Sequence, residues 1–403
     1  MKRRIGTLTG GGDTAALNAT LKGVAIGCEE CGYELIGFVE GWWGVLNNEY
    51  VPLSSNMIDE NRGGSIIKCS RTTLLKVKCG IKKAISNLCE LRISGLVPIG
   101  GDDTLTVGSK LNDEGFPVNC VTKTVDNDVG INAPLGEEID FTKMVNYFCP
   151  GFPTAAKRVA DYVRDLRTTA YSHNRIVVVE VMGRYYSWLA LAAAYGLPDF
   201  ILAAEIGLNY PELVEKMRQR YLDRGNVIII VPEGLKDENG KEITLEGFYA
   251  KDEFDQQKLG GVGDVMAARL KKTLASELEQ MRSEYCHGER ISYWQRAGSP
   301  IEIDREMAKA LGQKAVEGIK DGNLNQVSCV MRTEEGVLEP TLLPIDEALL
   351  RDEEGKVIAR KIDLRFYDKE NYGITPTGAE YFRPILGEMP KPCQCPELKI
   401  KTL

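Results

Sequence analysis

Two polar loops, one strand apart, constrain this chain more than any other feature. Residues 99–108 read I-G-G-D-D-T-L-T-V-G, and residues 120–129 read C-V-T-K-T-V-D-N-D-V. The apolar runs before them, 95–99 and 116–121, predict buried parallel strands, and the spacing of 105–112 predicts a helix between the two. In an open parallel sheet, neighbouring strands empty into one crevice at their carboxyl ends, and ligands bind there. The pattern therefore brings Asp102, Asp103, Asp126 and Asp128 to one cleft with Gly100, Gly101 and Lys123. Glycines let backbone N–H groups approach an anion, a carboxylate can hold a metal ion or take a proton, and a lysine supplies counter-charge. Gly-Gly after a strand also serves a plain tight turn, and Asp is a common helix cap. It is the pair of loops, the second carrying D-x-D and Lys, that points to phosphoryl transfer.

At 403 residues the chain is long enough for two domains with a sizeable core. Its 43% apolar and 27% charged residues are ordinary for a globular protein, and a net charge of −8 offers no footprint for nucleic acid. No apolar run approaches ~18 residues, which speaks against a membrane span. The basic start leads straight into a glycine loop rather than a signal segment, so a cytoplasmic location is expected. Eleven cysteines, odd in number and scattered, read as reduced thiols. Cys28-x-x-Cys31 and Cys393-x-Cys395, with only His173 and His287 to add imidazole, make no zinc pattern. Packing is the expected role of Cys28 and Cys31.

Along the chain, 4–8 predict a first strand, 9–13 a glycine loop and 15–28 the helix it opens. G-G-G-D at 10–13 resembles a phosphate cradle at a helix N-terminus, though it is neither G-x-G-x-x-G nor a Walker A sequence. Residues 34–38 predict a strand, 41–44 a loop, and 61–65 a glycine turn before the basic stretch 68–71. Arg71 is divided between a phosphate contact and solvent. Residues 128–153, with three prolines and several glycines, mark a domain crossing. A helix is expected over 154–168 and a β-branched central strand over 175–181, which delivers Met182-Gly183-Arg184. Elements at 187–194, 200–204, 211–222 and 226–231 continue the alternation, the last emptying into Pro232-Glu233-Gly234. Helices are expected within 260–282 and over 307–319, strands over 291–295 and 327–331, and the charged tail from 353 reads as an appendage. This alternation predicts an α/β chain: two doubly wound, Rossmann-like domains with the active site in the cleft between them, plus a C-terminal extension. The expected division is 1–150 with 296–345, then 151–295, then the extension 346–403.

The ordered motifs L-T-G-G-G-D…L-N-A, G-G-D-D-T, K-T-V-D-N-D, S-H-N-R-I-V-V-V-E-V-M-G-R and Q-R-A-G-S-P resemble the phosphofructokinase family from Ile5 to about Val330. The resemblance implies two α/β domains with a sugar phosphate and a phosphoryl donor in the cleft, and Mg²⁺ as cofactor. It makes Asp126 the general base towards the sugar's 1-hydroxyl, Asp128 its supporting carboxylate and Asp102 the Mg²⁺-associated residue. Gly11, Arg71, Gly101, Asp103, Thr104 and Lys123 fall on the donor side. Thr124, Val125, Met182, Gly183, Arg184, Glu233, Arg290, Tyr293 and Arg296 fall on the substrate side, with Arg184 also facing the transferred group. Arg175 and Arg296 resemble 6-phosphate ligands, Arg175 reaching in from a neighbouring subunit, which implies a homodimer or homotetramer with shared active sites.

ATP-dependent members of the family typically carry Gly at the positions of Asp103 and Lys123, whereas pyrophosphate-dependent members carry Asp and Lys. A carboxylate beside a nucleotide's α-phosphate costs roughly 4 kcal/mol at ~4 Å and an effective dielectric of ~20. Lys123 can meanwhile pair with compact pyrophosphate. The expected reaction is therefore reversible phosphoryl transfer from pyrophosphate to fructose 6-phosphate. The alternatives are an ATP-dependent 6-phosphofructokinase, sedoheptulose 7-phosphate as acceptor, or a non-catalytic sugar-phosphate sensor, against which the intact constellation argues. The departures are Ala15-Ala16 for a frequent Pro-Gly, Thr122 for Pro, Ser187 for Gly and Tyr293 for the His of many ATP users. They bear on sugar choice more than on chemistry.

Overall fold

The computed structural model describes residues 2–136, 138–243, 260–275 and 286–391. Its main strands are β1 (Arg4–Thr9), β2 (Glu34–Phe38), β3 (Tyr50–Leu53), β4 (Ile93–Gly100), β5 (Asn119–Thr122), β6 (Ile176–Val181), β7 (Phe200–Ile201), β8 (Val227–Pro232), β9 (Cys286–Arg290), β10 (Gln326–Arg332) and β11 (Leu338–Pro344). They form two sheets, a seven-stranded one ordered β11-β10-β5-β4-β1-β2-β3 and a four-stranded one ordered β7-β8-β6-β9. The smaller sheet is wholly parallel, and the larger is parallel except where β3 and β11 close its edges antiparallel.

Burial follows from the pleat. Ile176 and Val178 of β6 enter one apolar cluster while Val177 and Val179 enter another. In β4, Leu96 and Val97 divide in the same way. Each sheet is thus covered on both faces, which is why its strands read as continuous apolar runs rather than alternating ones. Helices Leu17–Glu30, Gly80–Glu90, Asp102–Asp113 and Glu302–Asp321 flank the first sheet, and Phe152–Ser172, Tyr210–Arg224 and Val262–Thr273 flank the second. β1 pairs with β2 on one side and β4 on the other, so the strand order reverses between them. Such a reversal opens a crevice at the strands' carboxyl ends. In the second sheet, β6 lies between β8 and β9 and opens a crevice of the same kind.

Four local expectations are corrected. Residues 41–44 are not a loop: Trp42–Asn47 is a short helix, because Trp42, Val45 and Leu46 recur at helical spacing and bury together. The strand expected at 291–295 is a 3₁₀ turn over Ser292–Gln295, and the pairing segment is the preceding β9. As an edge strand β9 buries only part of each side chain, so its C-H-G-E-R carries no apolar pattern. The helix after the glycine loop starts at Leu17 rather than 15. The tail is not an appendage: Phe366, Tyr381 and Phe382 are fully buried in the cluster that also holds Val121 and Val177. Its aromatic residues, spaced among charges, hid that packing. Cys28 is buried within its helix, and burial pushes its thiol up to about 12, as packing requires. Cys393 and Cys395, and the end of the helix expected within 260–282, lie outside the described residues.

Candidate active site

The carboxyl ends of β1, β4, β5, β6, β8 and β9 converge on one cleft of about 920 Å³. Its wall on the first sheet contains Gly11, Arg71, Gly101, Asp102, Asp103, Thr104, Lys123, Thr124, Asp126 and Asp128. The second sheet and the turn after β9 contribute Met182, Arg184, Glu233, Arg290, Tyr293 and Arg296. Four expected residues do not line it. Gly100 packs behind Thr104, whose Oγ1 would clash with a Cβ there. Val125 is in the core, and Gly183 lies in the strand-end turn, where its N–H bonds the Glu233 carboxylate. Arg175 precedes β6 at the strand's opposite end and donates to Thr169 Oγ1 at 2.6 Å.

The segment after β5 bends and passes through a left-handed Asn127, yet its side chains alternate in burial. Thr124, Asp126 and Asp128 face the cleft, while Val125, Asn127 and Val129 are buried behind it. The Thr124 hydroxyl accepts the Asp126 N–H at 3.1 Å and also hydrogen-bonds the Asp128 carboxylate. Burial raises both carboxyls. For Asp128 the charges of Asp126 and Asp102 add to burial, and its carboxyl is pushed up to about 7. Asp126 is opposed by Arg296, Arg184, Lys123 and Arg71, which favour its anion. Two neighbouring carboxyls in unequal fields divide the roles of proton acceptor and proton holder. Here the surrounding cations offset the burial of Asp126, and no cation is among the main influences on Asp128.

Lys123 is buried and donates to Gly10 O at 2.8 Å and Gly12 O at 2.5 Å. Burial lowers its ammonium to about 8. The glycine loop is consequently not the simple N–H cradle that was expected: Gly11 N–H donates to Ser70 O at 2.9 Å, while carbonyls of the loop face the lysine. At the end of β4, Asp102 and Asp103 occupy the first turn of helix Asp102–Asp113, where the helix dipole favours carboxylates. Thr73 donates to Asp103 Oδ1 at 3.0 Å and fixes that side chain.

On the opposite wall, burial and then the charges of Asp126 and Glu180 push Glu233 up to about 7, with Arg184 opposing. Glu180 of β6 is buried, pairs with Arg290 Nε at 3.0 Å and accepts Gly263 N–H at 3.1 Å. Met182 N–H donates to Gln295 Oε1 at 3.2 Å. Arg296 lies over Gly12, 3.7 Å from the Asp13 carboxylate, and so bridges to the first sheet's loop. Glu180, Gln295, Thr73 and Lys76 were not singled out in the sequence. A carboxylate inside R-I-V-V-V-E-V was the one available signal, since a buried Glu demands a partner. Nothing in the sequence around Thr73 and Lys76 marked them.

Two sheets wound on both faces, with glycine turns, arginines and raised carboxyls facing across one cleft, define an α/β protein built to handle phosphate groups. The phosphofructokinase family model matches residues 4–319, and the chain belongs to that family. A pyrophosphate–fructose 6-phosphate 1-phosphotransferase of Dictyoglomus thermophilum is 36% identical over 91% of this chain and 97% of its own. An ATP-dependent 6-phosphofructokinase of Corynebacterium efficiens is 33% identical over 80% of this chain and 88% of its own. Among solved structures, a pyrophosphate-dependent phosphofructokinase from Marinobacter aquaeolei shares the fold, with a TM-score of 0.76, 21% identity and coverage of 100% and 98%.

Proposed function

We propose that the chain transfers a phosphoryl group reversibly between pyrophosphate and the 1-hydroxyl of fructose 6-phosphate, giving fructose 1,6-bisphosphate and phosphate, a step of glycolysis and gluconeogenesis. In the forward direction the new bond joins sugar O1 to phosphorus, the P–O–P bridge breaks, and the hydroxyl proton passes to Asp126. Asp128 holds the polar environment of that base. Arg184 and Lys123 neutralise charge on the transferred and leaving phosphates, and such neutralisation supplies most of the catalysis of phosphoryl transfer. Glu233 accepts hydrogen bonds from sugar hydroxyls, and Arg290, Tyr293 and Arg296 receive the sugar phosphate.

One observation carries the choice of donor. Asp103, tethered by Thr73, lines the same cleft wall as buried Lys123, an arrangement that opposes an extended nucleotide and suits compact, highly charged pyrophosphate. Among the described residues no three Asp, Glu, His or Cys side chains form a metal cage. Mg²⁺ bound through substrate phosphates and water needs only one or two carboxylates, and Asp102, exposed in the cleft beside Asp128, fits that demand. When bound there, the ion would screen phosphate charge. The test is product formation by the purified protein with Mg²⁺, fructose 6-phosphate and either pyrophosphate or ATP, with sedoheptulose 7-phosphate as a second acceptor. Turnover with pyrophosphate supports the reading. Preference for ATP, or no turnover, overturns it.

The same reading divides the chain into 1–150 with 296–345, 151–295, and 346–403, and makes it a cytoplasmic homo-oligomer, dimer or tetramer. Arg175, outside its own cleft, would serve a neighbour's. Mixing inactive Asp126→Ala with inactive Arg175→Ala subunits should then restore partial activity, and a fully active monomer in sedimentation contradicts it.

A further inference from the structure

Arg360 lies in the tail, beyond the residues matched by the family model, and yet is 1% exposed. Among the described residues no carboxylate pairs with it. Its guanidinium instead donates to main-chain carbonyls: to Asn127 O from Nε at 3.1 Å and from Nη2 at 2.9 Å, and from Nη1 to Asn146 O at 2.6 Å and Val145 O at 3.3 Å. The Arg360 N–H donates to Asp128 O at 2.7 Å. The carbonyls of both Asn127 and Asp128 are therefore held by this one residue.

The held segment needs holding. Asn127 sits between the two cleft carboxylates with φ of 55°, a left-handed conformation that costs a non-glycine residue free energy. The side chain of Asn127 is fixed as well, donating to Tyr381 Oη at 2.8 Å and accepting Cys149 N–H at 3.0 Å. Tyr381, like Arg360, belongs to the tail. Gly130 leaves the room that the guanidinium occupies, since a Cβ there would come within 2.8 Å of Arg360 Nη1. Behind the guanidinium, the ring of Trp188 stacks at 4.9 Å, and its indole N–H donates to Arg360 O at 3.2 Å. A buried cation is costly, and an apolar side chain would fill this volume more cheaply. What the cation adds is direction: a planar fork fixes where the Asn127 carbonyl points, and with it the peptides that carry Asp126 and Asp128.

We infer that Arg360 is a positioning residue for the reaction, clamping the Asp126-Asn127-Asp128 backbone from the C-terminal tail so that both carboxylates face the cleft. The inference rests on the reading of Asp126 and Asp128 as the proton-handling pair. It is tested with Arg360→Lys and Arg360→Met in the full chain, with kcat expressed per fructose 6-phosphate-binding site counted by calorimetry. A misplacement of about 1 Å costs about 10²-fold in rate. Arg360→Lys should therefore lose roughly 10- to 100-fold in kcat, and Arg360→Met more, while KM for fructose 6-phosphate moves less than about threefold. If Arg360→Met does not fold, Arg360→Lys decides alone, because it keeps the charge and loses only the fork. A purely structural role predicts fewer binding sites with normal kcat per site, and that result overturns the inference. Asp126→Asn is assayed in parallel: if it keeps wild-type kcat, the reading of the pair fails, whereas an inactive Asp126→Asn beside a normal Arg360→Lys refutes the clamp alone.

Discussion

The two walls of the cleft handle charge in opposite ways. On the second sheet's wall each buried carboxylate has a cation or donor against it: Glu180 pairs with Arg290 and accepts the Gly263 N–H, and Arg184 and the Gly183 N–H oppose the rise of Glu233. On the first sheet's wall, like charges are crowded. Burial, Asp126 and Asp102 together raise Asp128, and the Lys123 ammonium is turned onto backbone carbonyls. Matched charges make a rigid binding surface that asks nothing more of a ligand. Crowded carboxylates are relieved only when a proton or a metal ion arrives. Under the proposed function, the difference separates the wall that binds from the wall that reacts.

The largest effect is expected at Asp126. Asp126→Asn should lower kcat by roughly 10²–10⁴, the usual cost of losing a general base, and leave fructose 6-phosphate binding nearly intact in calorimetry. On the binding wall, Glu233→Gln should do the reverse, raising KM for the sugar phosphate about tenfold, the equivalent of one charged hydrogen bond, with a smaller change in kcat. Equal effects of the two on both parameters would erase the distinction.

Protonation distinguishes the raised carboxyls from the rest of the cleft. Asp128 and Glu233 are each pushed up to about 7. A carboxyl raised by folding keeps its proton after the unfolded chain has released it. Its contribution to stability is therefore present below about pH 4 and lost as the pH rises through about 7. Asp128→Asn should accordingly raise Tm more at pH 8 than at pH 5 while lowering kcat, and scanning calorimetry at both values checks the sign. The smallest expected effect is at Thr73. Thr73→Val removes one hydrogen bond to Asp103 and should raise the KM for pyrophosphate about fivefold, with the acceptor KM unchanged.

Much of this site was legible in the residues because the chemistry lies on strand ends. G-G-D-D and D-N-D follow apolar runs, and a parallel sheet brings such ends together whatever the details between them. What the sequence hid depends on distant partners. Lys123 could be placed in the cleft, but not its turn towards Gly10 and Gly12, since a lysine's direction is set by which acceptors burial leaves it. Glu180 was hidden by its strand, and β9 by the mixed composition that an edge strand tolerates. The tail misled most: its charges outnumber its aromatics, yet Phe366, Tyr381 and Phe382 carry the packing. Burial depends on where those few residues land, and composition does not report that.

The central claim is that Asp103 and Lys123 select the donor, and kcat/KM for pyrophosphate and for ATP in four proteins tests it: wild type, Asp103→Gly, Lys123→Gly and the double variant. Asp103 opposes the nucleotide and Lys123 favours pyrophosphate, so the two substitutions should act differently. Asp103→Gly should gain relative ATP use. Lys123→Gly should lose pyrophosphate activity and gain little ATP use, and the double variant should favour ATP most, without strict additivity because the two sites share one anion. A wild type that prefers ATP contradicts the claim, as does an Asp103→Gly variant that loses pyrophosphate activity with no relative shift towards ATP.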